Sequence, residues 1–381
     1  MSINSALENV HHSAIRTFTN LAKQTPGCLS LTLGEPDFDT PKEIEEEVGK
    51  AFEAGETHYI ANNGSMDLRR KIAQYEQIRH HRPYSADNVI VTAGAEEGLF
   101  LSLFTLLDPG DQVIIPTPAF SAYAEIVKLC RAMPVFLDTS QDAFQIDGQK
   151  LEDRITDRTK AIILNTPNNP TGCLLDHQSL AAVADVVRKH SLYVIADDVY
   201  QQLVYTQDCE SIADFDTIRS QTILVQSFSK PYAMTGWRMG YLCVDPDIRY
   251  KMELVHQYAV TSTPAPFQRA AERALDFDPS AFVETYRKRR AFMLKRLSEM
   301  DLPVPTPLGA FYVFPSIEEF GMSSEEFCMR MIKEGGLAAT PGSAFGCDGH
   351  IRLTYCYADP VLKEGMDRLQ AFIEKVRSEK P

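Results

Sequence analysis

The chain has 381 residues, of which 44% are apolar and 24% charged, with a formal net charge of −14. That length exceeds the roughly 250–300 residues one hydrophobic core can serve, so two lobes are expected. The acidic balance, with no basic stripe to offset it, argues against binding nucleic acid or an anionic membrane surface, and no apolar run is long enough to span a bilayer.

The opening segment MSINSALENVHHSAIRTF has neither the layout of a secretory signal nor that of a transit peptide, so a cytoplasmic location is expected. Eight scattered cysteines form no C-x-x-C and have no histidine at zinc-ligand spacing, so they read as reduced and mostly buried, with no metal site.

In chain order, residues 6–23 predict an amphipathic helix, followed by the extended stretch CLSLTLGEPDFDTP, too rich in Gly, Pro and Asp to stay helical. From about residue 88, β-rich runs alternate with helical patterns: NVIVTA, QVIIP, AIILN, LYVIAD, TILVQSFS and GYLCV. The alternation predicts a mostly parallel sheet wrapped by helices, and the near-continuous Val/Ile/Leu runs fit strands covered on both faces. After residue 278 the pattern becomes a long charged helix, GAFYVFPSI, a helix from Ser323, short strands at LAAT and HIRLTY, and a closing helix over 360–377. That is the texture of a smaller α+β lobe, joined to the large one by continuous helix. No repeat or low-complexity tract interrupts the chain.

Four segments carry chemistry. SFSKPYAMTGWRMGY, 227–241, follows an apolar strand and groups Ser227, Ser229, Lys230 and Arg238 where parallel-sheet ligands bind. A lysine there can form an imine with a carbonyl cofactor, and Arg238 with Ser227 can hold a phosphate; the alternative is a pair of solvated cations. NTPNNPTG projects Asn169 from the end of a strand, although an Asn-Pro turn needs no function. VIADDVY places Asp197 at the end of a buried strand with Tyr200 three residues on, and a carboxylate there needs a cationic partner. In VTAGAEEGL a strand ends in a small-residue turn and a helix begins, so the N–H groups of Gly94, Ala95 and Glu96 would face an anion.

In this order and spacing the segments resemble the class I/II aminotransferases of the aspartate aminotransferase fold, over essentially the whole chain. The texture of VHQYAV and SIEEFGMSSEEF is closest to the bacterial aromatic, aspartate and N-acetyl-diaminopimelate aminotransferases. The resemblance implies a pyridoxal 5′-phosphate (PLP)-dependent fold: a large domain with a mostly parallel seven-stranded sheet plus a smaller α+β domain. Its expected division is an arm and part of the small domain in 1–45, the PLP-binding domain in 46–277 and the small domain in 278–381.

It further implies that Lys230 carries the cofactor as a Schiff base and moves the substrate proton. Asp197 would pair with the pyridine nitrogen, Asn169 and Tyr200 would bond the phenolic oxygen, and Phe120 and Val199 would cover the two ring faces. The phosphate would lie on Gly94, Ala95, Glu96, Ser227 and Arg238, with Tyr59 of HYIANNGSMDLRR reaching in from a second subunit of a homodimer. Arg352 would grip the substrate α-carboxylate beside Gly34 and Asn169, and Ile15 and Arg16 of the arm would line the pocket.

The activity so implied is ping-pong transfer of an amino group from an L-amino acid to a 2-oxo acid, with 2-oxoglutarate the acceptor by family habit. Where some relatives selecting aspartate place a lysine, this chain has Glu96, which argues against that mode of dicarboxylate binding; Arg16 leaves another route to a distal acid open. The alternatives are a C–S lyase or synthase on the same fold, and a non-catalytic PLP-binding regulator.

Overall fold

The computed structural model describes residues 3–207 and 209–379; the outermost residues of the expected 1–45 and 278–381 segments lie outside that range. Among the described residues twelve strands form three sheets: β1 (Leu29–Ser30), β2 (Val89–Thr92), β3 (Gln112–Thr117), β4 (Met133–Asp138), β5 (Thr159–Asn165), β6 (Tyr193–Asp197), β7 (Thr222–Ser227), β8 (Gly240–Cys243), β9 (Tyr312–Val313), β10 (Leu337–Ala338), β11 (Thr340–Pro341) and β12 (Ile351–Thr354). The main sheet has seven strands in the order β2-β8-β7-β6-β5-β3-β4, and only β8 runs against the rest. This is the α/β architecture the alternation predicts.

β2, β7 and β8 are buried along their whole length, and β5 and β6 nearly so, because helices cover both faces of the sheet. β4 is the seventh strand and was absent from the apolar runs. It is an edge strand with Met133 and Phe136 half exposed, and it carries Pro134, which an edge tolerates because no ladder donor is needed there.

A separate core gathers Tyr286, Met293, Leu297, Phe311, Tyr312, Leu353, Leu369 and Phe372 from the C-terminal part, together with Phe18, Ala22 and Leu31 from the arm. β1 pairs in parallel with β10, and β11, β12 and β9 form an antiparallel sheet. Two expectations for helices fail. The N-terminal helix is a short 3-10 turn at Ser5–Asn9 and then an α-helix at Ala14–Gln24, because the intervening VHHS leaves the helical path. The helices Ala265–Ala274 and Ser280–Glu299 are not continuous: Pro279 precedes the second, and Asp278 accepts from the Ser280 backbone N–H at 3.0 Å, starting a new helix.

Candidate active site

The register of the main sheet brings the chemistry to one edge. Asn165 pairs with Asp197, Asp197 with Val225, Ser227 with Gly240 and Gly240 with Thr92, so the carboxyl ends of β5, β6, β7 and β2 stand side by side. The chain leaves β3 outward to β4 and then returns to the other side of β3 with β5, which opens a crevice beyond those two strands. The loop after β3 places Phe120 there and the helix Ala122–Leu129 that follows it places Tyr123, while Asn165 ends β5 and the loop beyond it carries Asn169.

Asp197 is buried, and its Oδ2 accepts from the Tyr123 hydroxyl at 2.5 Å while Oδ1 has no hydrogen-bond partner. Burial pushes its carboxyl up to about 6, against the opposing pull of the Tyr123 hydrogen bond. Asn165 Nδ2 donates to the Asp197 carbonyl at 2.7 Å, and Asn165 Oδ1 accepts from the Asn169 backbone N–H at 2.8 Å, which fixes the Asn169 loop to the strand edge. Phe120 meets Tyr123 edge to face at 5.7 Å. Val199 is partly buried against the C-terminal core.

Arg352, on β12, is 1% exposed and forms no ion pair among the described residues, its electrostatic neighbours being tyrosines and Cys356. Its Nη1 donates to Asn169 Oδ1 at 2.8 Å, its Nη2 donates to the Thr32 carbonyl, and its Nε has no partner. The guanidinium lies 4.6 Å from the Tyr312 ring centroid and 4.9 Å from that of Phe345. Burial pulls its pKa down, as expected for a charge held without a counter-ion. Tyr200 and Tyr312 share a hydrogen bond of 2.7 Å between their hydroxyls.

Lys230 Nζ donates to the Gly34 carbonyl at 2.7 Å, and burial lowers its pKa, favouring the neutral amine. A Cβ at Gly34 would run into the Tyr312 hydroxyl, so only glycine lets the 33–35 backbone approach. Contacts thus run from Lys230 through Gly34, Tyr312, Arg352, Asn169 and Asn165 to Asp197.

At the other end, Gly94 caps the helix Ala95–Leu106 at φ 82°, so the first-turn N–H groups of Ala95 and Glu96 have no intrahelical acceptor. The Gly94 N–H is not free as expected: it donates to the Thr92 carbonyl at 2.8 Å in the tight turn leaving β2. Arg238 lies over that turn, donating to the Thr235 carbonyl at 2.9 Å and lying 3.8 Å from Glu96. Ser227 Oγ accepts from the Ser229 N–H at 3.0 Å. Gly240 belongs here as well, since a Cβ on it would strike Gly94 and Ala95.

Of the three remaining expected residues, Ile15 packs beside the site, and Tyr59 and Arg16 are exposed. Tyr59 is 89% exposed, and no contact brings it to the others. Ile15 is buried in a small cluster with Phe314, Phe345 and Cys347, against which Phe120 also packs. Arg16, next in sequence, is exposed. The sequence reading missed Tyr123, Asn165 and Tyr312. Tyr123 follows Phe120 by three residues and Asn165 ends the AIILN run, so both had a local signal; Tyr312 had none, since only the fold brings it to Arg352.

The fold and this strand-edge pocket define an α/β enzyme of the aspartate aminotransferase architecture. The chain belongs to the class I and II aminotransferases: residues 26–369 match the family described as "Aminotransferase class I and II". It is 37% identical to a probable N-acetyl-LL-diaminopimelate aminotransferase of Bacillus subtilis, over 98% of this chain and 96% of that protein. It is 39% identical to aromatic-amino-acid aminotransferase 2 of Thermococcus litoralis, over 100% and 99% of the two chains. The structure of the aspartate aminotransferase of Thermus thermophilus with maleate superposes with a TM-score of 0.93 at 30% identity, covering 98% of this chain and 100% of that one. The protein is a transaminase of a PLP-dependent family.

Proposed function

We propose that Lys230 binds pyridoxal 5′-phosphate covalently and that the enzyme moves an amino group from an L-amino acid to a 2-oxo acid, 2-oxoglutarate being the expected acceptor. The observation that carries this reading is the orphaned, buried Oδ1 of Asp197, an acceptor that lacks a cationic N–H. A protonated pyridine nitrogen is such a donor. When bound, the cofactor supplies an aldehyde that condenses with amines and a ring that withdraws electrons from the reacting carbon.

On this reading Asp197 holds the proton on the ring nitrogen, and Asn169 and Tyr200 meet the phenolic oxygen. Phe120 and Val199 cover the two ring faces. Arg238, Ser227 and the N–H groups of Ala95 and Glu96 take the phosphate; Gly94 serves through its conformation, which leaves the helix start open. Arg352 grips the α-carboxylate of the substrate with Asn169 beside it, replacing by an ion pair the counter-ion it lacks. The amine of Lys230, whose charged form burial disfavours, would serve as the base for the substrate Cα proton.

Ile15 and Gly34 line the substrate pocket, and Arg16 stands at its rim. Tyr59 serves the phosphate of a second subunit in a homodimer, which would explain its exposure in the single chain. The chain divides at about 45 and 277 into an arm with part of the small domain, a PLP-binding domain and a small domain, a division supported by the β1–β10 pairing and the separate C-terminal core. It works in the cytoplasm; no helix among the described residues is long and apolar enough to cross a membrane.

Purified enzyme given single amino acids and an oxo acid should yield the matching 2-oxo acid without releasing ammonia; ammonia with pyruvate would indicate a lyase instead. Borohydride should fix the cofactor to Lys230, and Lys230→Ala should abolish that label while leaving the fold intact. A label on a different lysine would overturn the assignment.

A further inference from the structure

The turn that opens the helix Ala95–Leu106 is held from behind by two residues to which the reading above gives no part. Glu97, in the first turn of that helix, folds back so that its Oε2 accepts from the Ala93 backbone N–H. Its Oε1 meets His256 Nδ1 at 2.6 Å. His256 comes from the helix Pro246–Ala259, is fully buried, and leaves its Nε2 without a partner. The other side of the same turn is in contact with Arg238, whose Nη2 lies 3.5 Å from the Ala93 carbonyl. Ala93 is therefore fixed at its N–H by Glu97 and at its carbonyl by Arg238.

A glutamate that merely caps a helix is usually satisfied by backbone and water. Here a neighbouring helix contributes a buried imidazole with one nitrogen unsatisfied, a cost that a cap alone does not explain. A carboxylate one turn from a bound phosphate also repels it, the more so the closer it swings, so its placement matters. The His256 and Ala93 contacts hold this one in place, with Oε2 turned back to the Ala93 N–H and Oε1 to the His256 Nδ1.

We propose that Glu97 and His256 are positioning residues for the phosphate-binding turn, setting the geometry of the Ala95 and Glu96 N–H groups and of Arg238 without touching the cofactor. The inference rests on the reading that this turn binds the PLP phosphate. Its signature is selectivity for the phosphate over the rest of the cofactor, which a general loss of stability does not produce.

The test titrates the full-length, cofactor-stripped protein with PLP and with pyridoxal, which lacks the phosphate. Glu97→Ala should weaken PLP by roughly ten-fold, as expected for one charge-assisted hydrogen bond, and leave pyridoxal within about two-fold. His256→Ala should shift the ratio the same way, and His256→Asn, whose amide can donate from near the Nδ1 position, should restore it. Glu97 lies at a helix end, so Glu97→Ala remains informative even if the buried His256→Ala does not fold. An unchanged PLP-to-pyridoxal ratio in Glu97→Ala, or equal weakening of both ligands, overturns the proposal. Wild-type protein that takes up no PLP would sink the cofactor reading as well, so the two failures are distinguishable.

Discussion

Asp197 and Asp198 are consecutive, and the strand geometry at the end of β6 points them to opposite sides. Asp198 faces Arg82, which also binds Glu76 at 3.0 Å and Asp214 at 2.7 Å, and burial pushes the Asp198 carboxyl up to about 7. Asp197 faces the crevice with one oxygen unpaired. Its carboxyl sits at about 6 in the folded protein against 3.8 as its ordinary value, so the native state holds a proton the unfolded chain has released. The stability from that proton is fully present below about pH 4 and is lost as pH rises through about 6. Cofactor-free wild type should therefore lose stability relative to Asp197→Asn between pH 4 and 7, by on the order of 2–3 kcal/mol. The added stability from bound PLP should grow over the same window, as the ionised carboxylate gains its cationic partner. Melting curves of both proteins with and without PLP read this directly, and a gap independent of pH would show that Asp197 does not titrate as described. Asp198 is present in both proteins and its shift is set by burial and by Arg82, so its own titration cancels in the comparison.

At the level of elements, the site depends on where strands and helices stop. The helix His177–His190, which covers the sheet, begins at Asp176, whose carboxylate accepts from the Ser179 N–H at 2.7 Å. Asp176→Ala should cost about 1 kcal/mol and lower the melting temperature by roughly 1–2 °C, with transamination unchanged. A loss of activity at constant melting temperature would instead tie this helix start to the site. The strands β2, β3, β5, β6, β7 and β8 were legible as apolar runs because burial on both faces admits little else. β4 was not, because an edge strand with one open face can carry Pro134, Met133 and Phe136 without an apolar run. The expected continuity of residues 6–23 failed for a related reason: the arm lies along other elements, and local periodicity does not report where it bends.

For the whole molecule, the exposed Tyr59 sets the most direct test of a shared site. If each site uses its own Lys230 and the partner's Tyr59, a hybrid of a Lys230→Ala chain with a Tyr59→Ala chain contains one site with both lesions and one site with neither. Mixing and refolding the two defective variants should then recover activity approaching half of wild type per hybrid dimer. No recovery would place Tyr59 in the same chain's site or outside the mechanism.

The sequence by itself determined the family, the α/β class and the strand-end positions of Lys230, Asp197, Asn169 and the 93–97 turn. These are local: a buried run, a turn and a polar residue at the end of the run are adjacent in the chain. Only the tertiary structure decided that Tyr123 supports Asp197, that Tyr312 and Thr32 hold Arg352, that Gly34 yields to Tyr312, and that His256 stands behind Glu97. Those pairings join residues from 40 to 320 positions apart, and side-chain packing between separately formed elements leaves no periodic trace in the chain that could announce them.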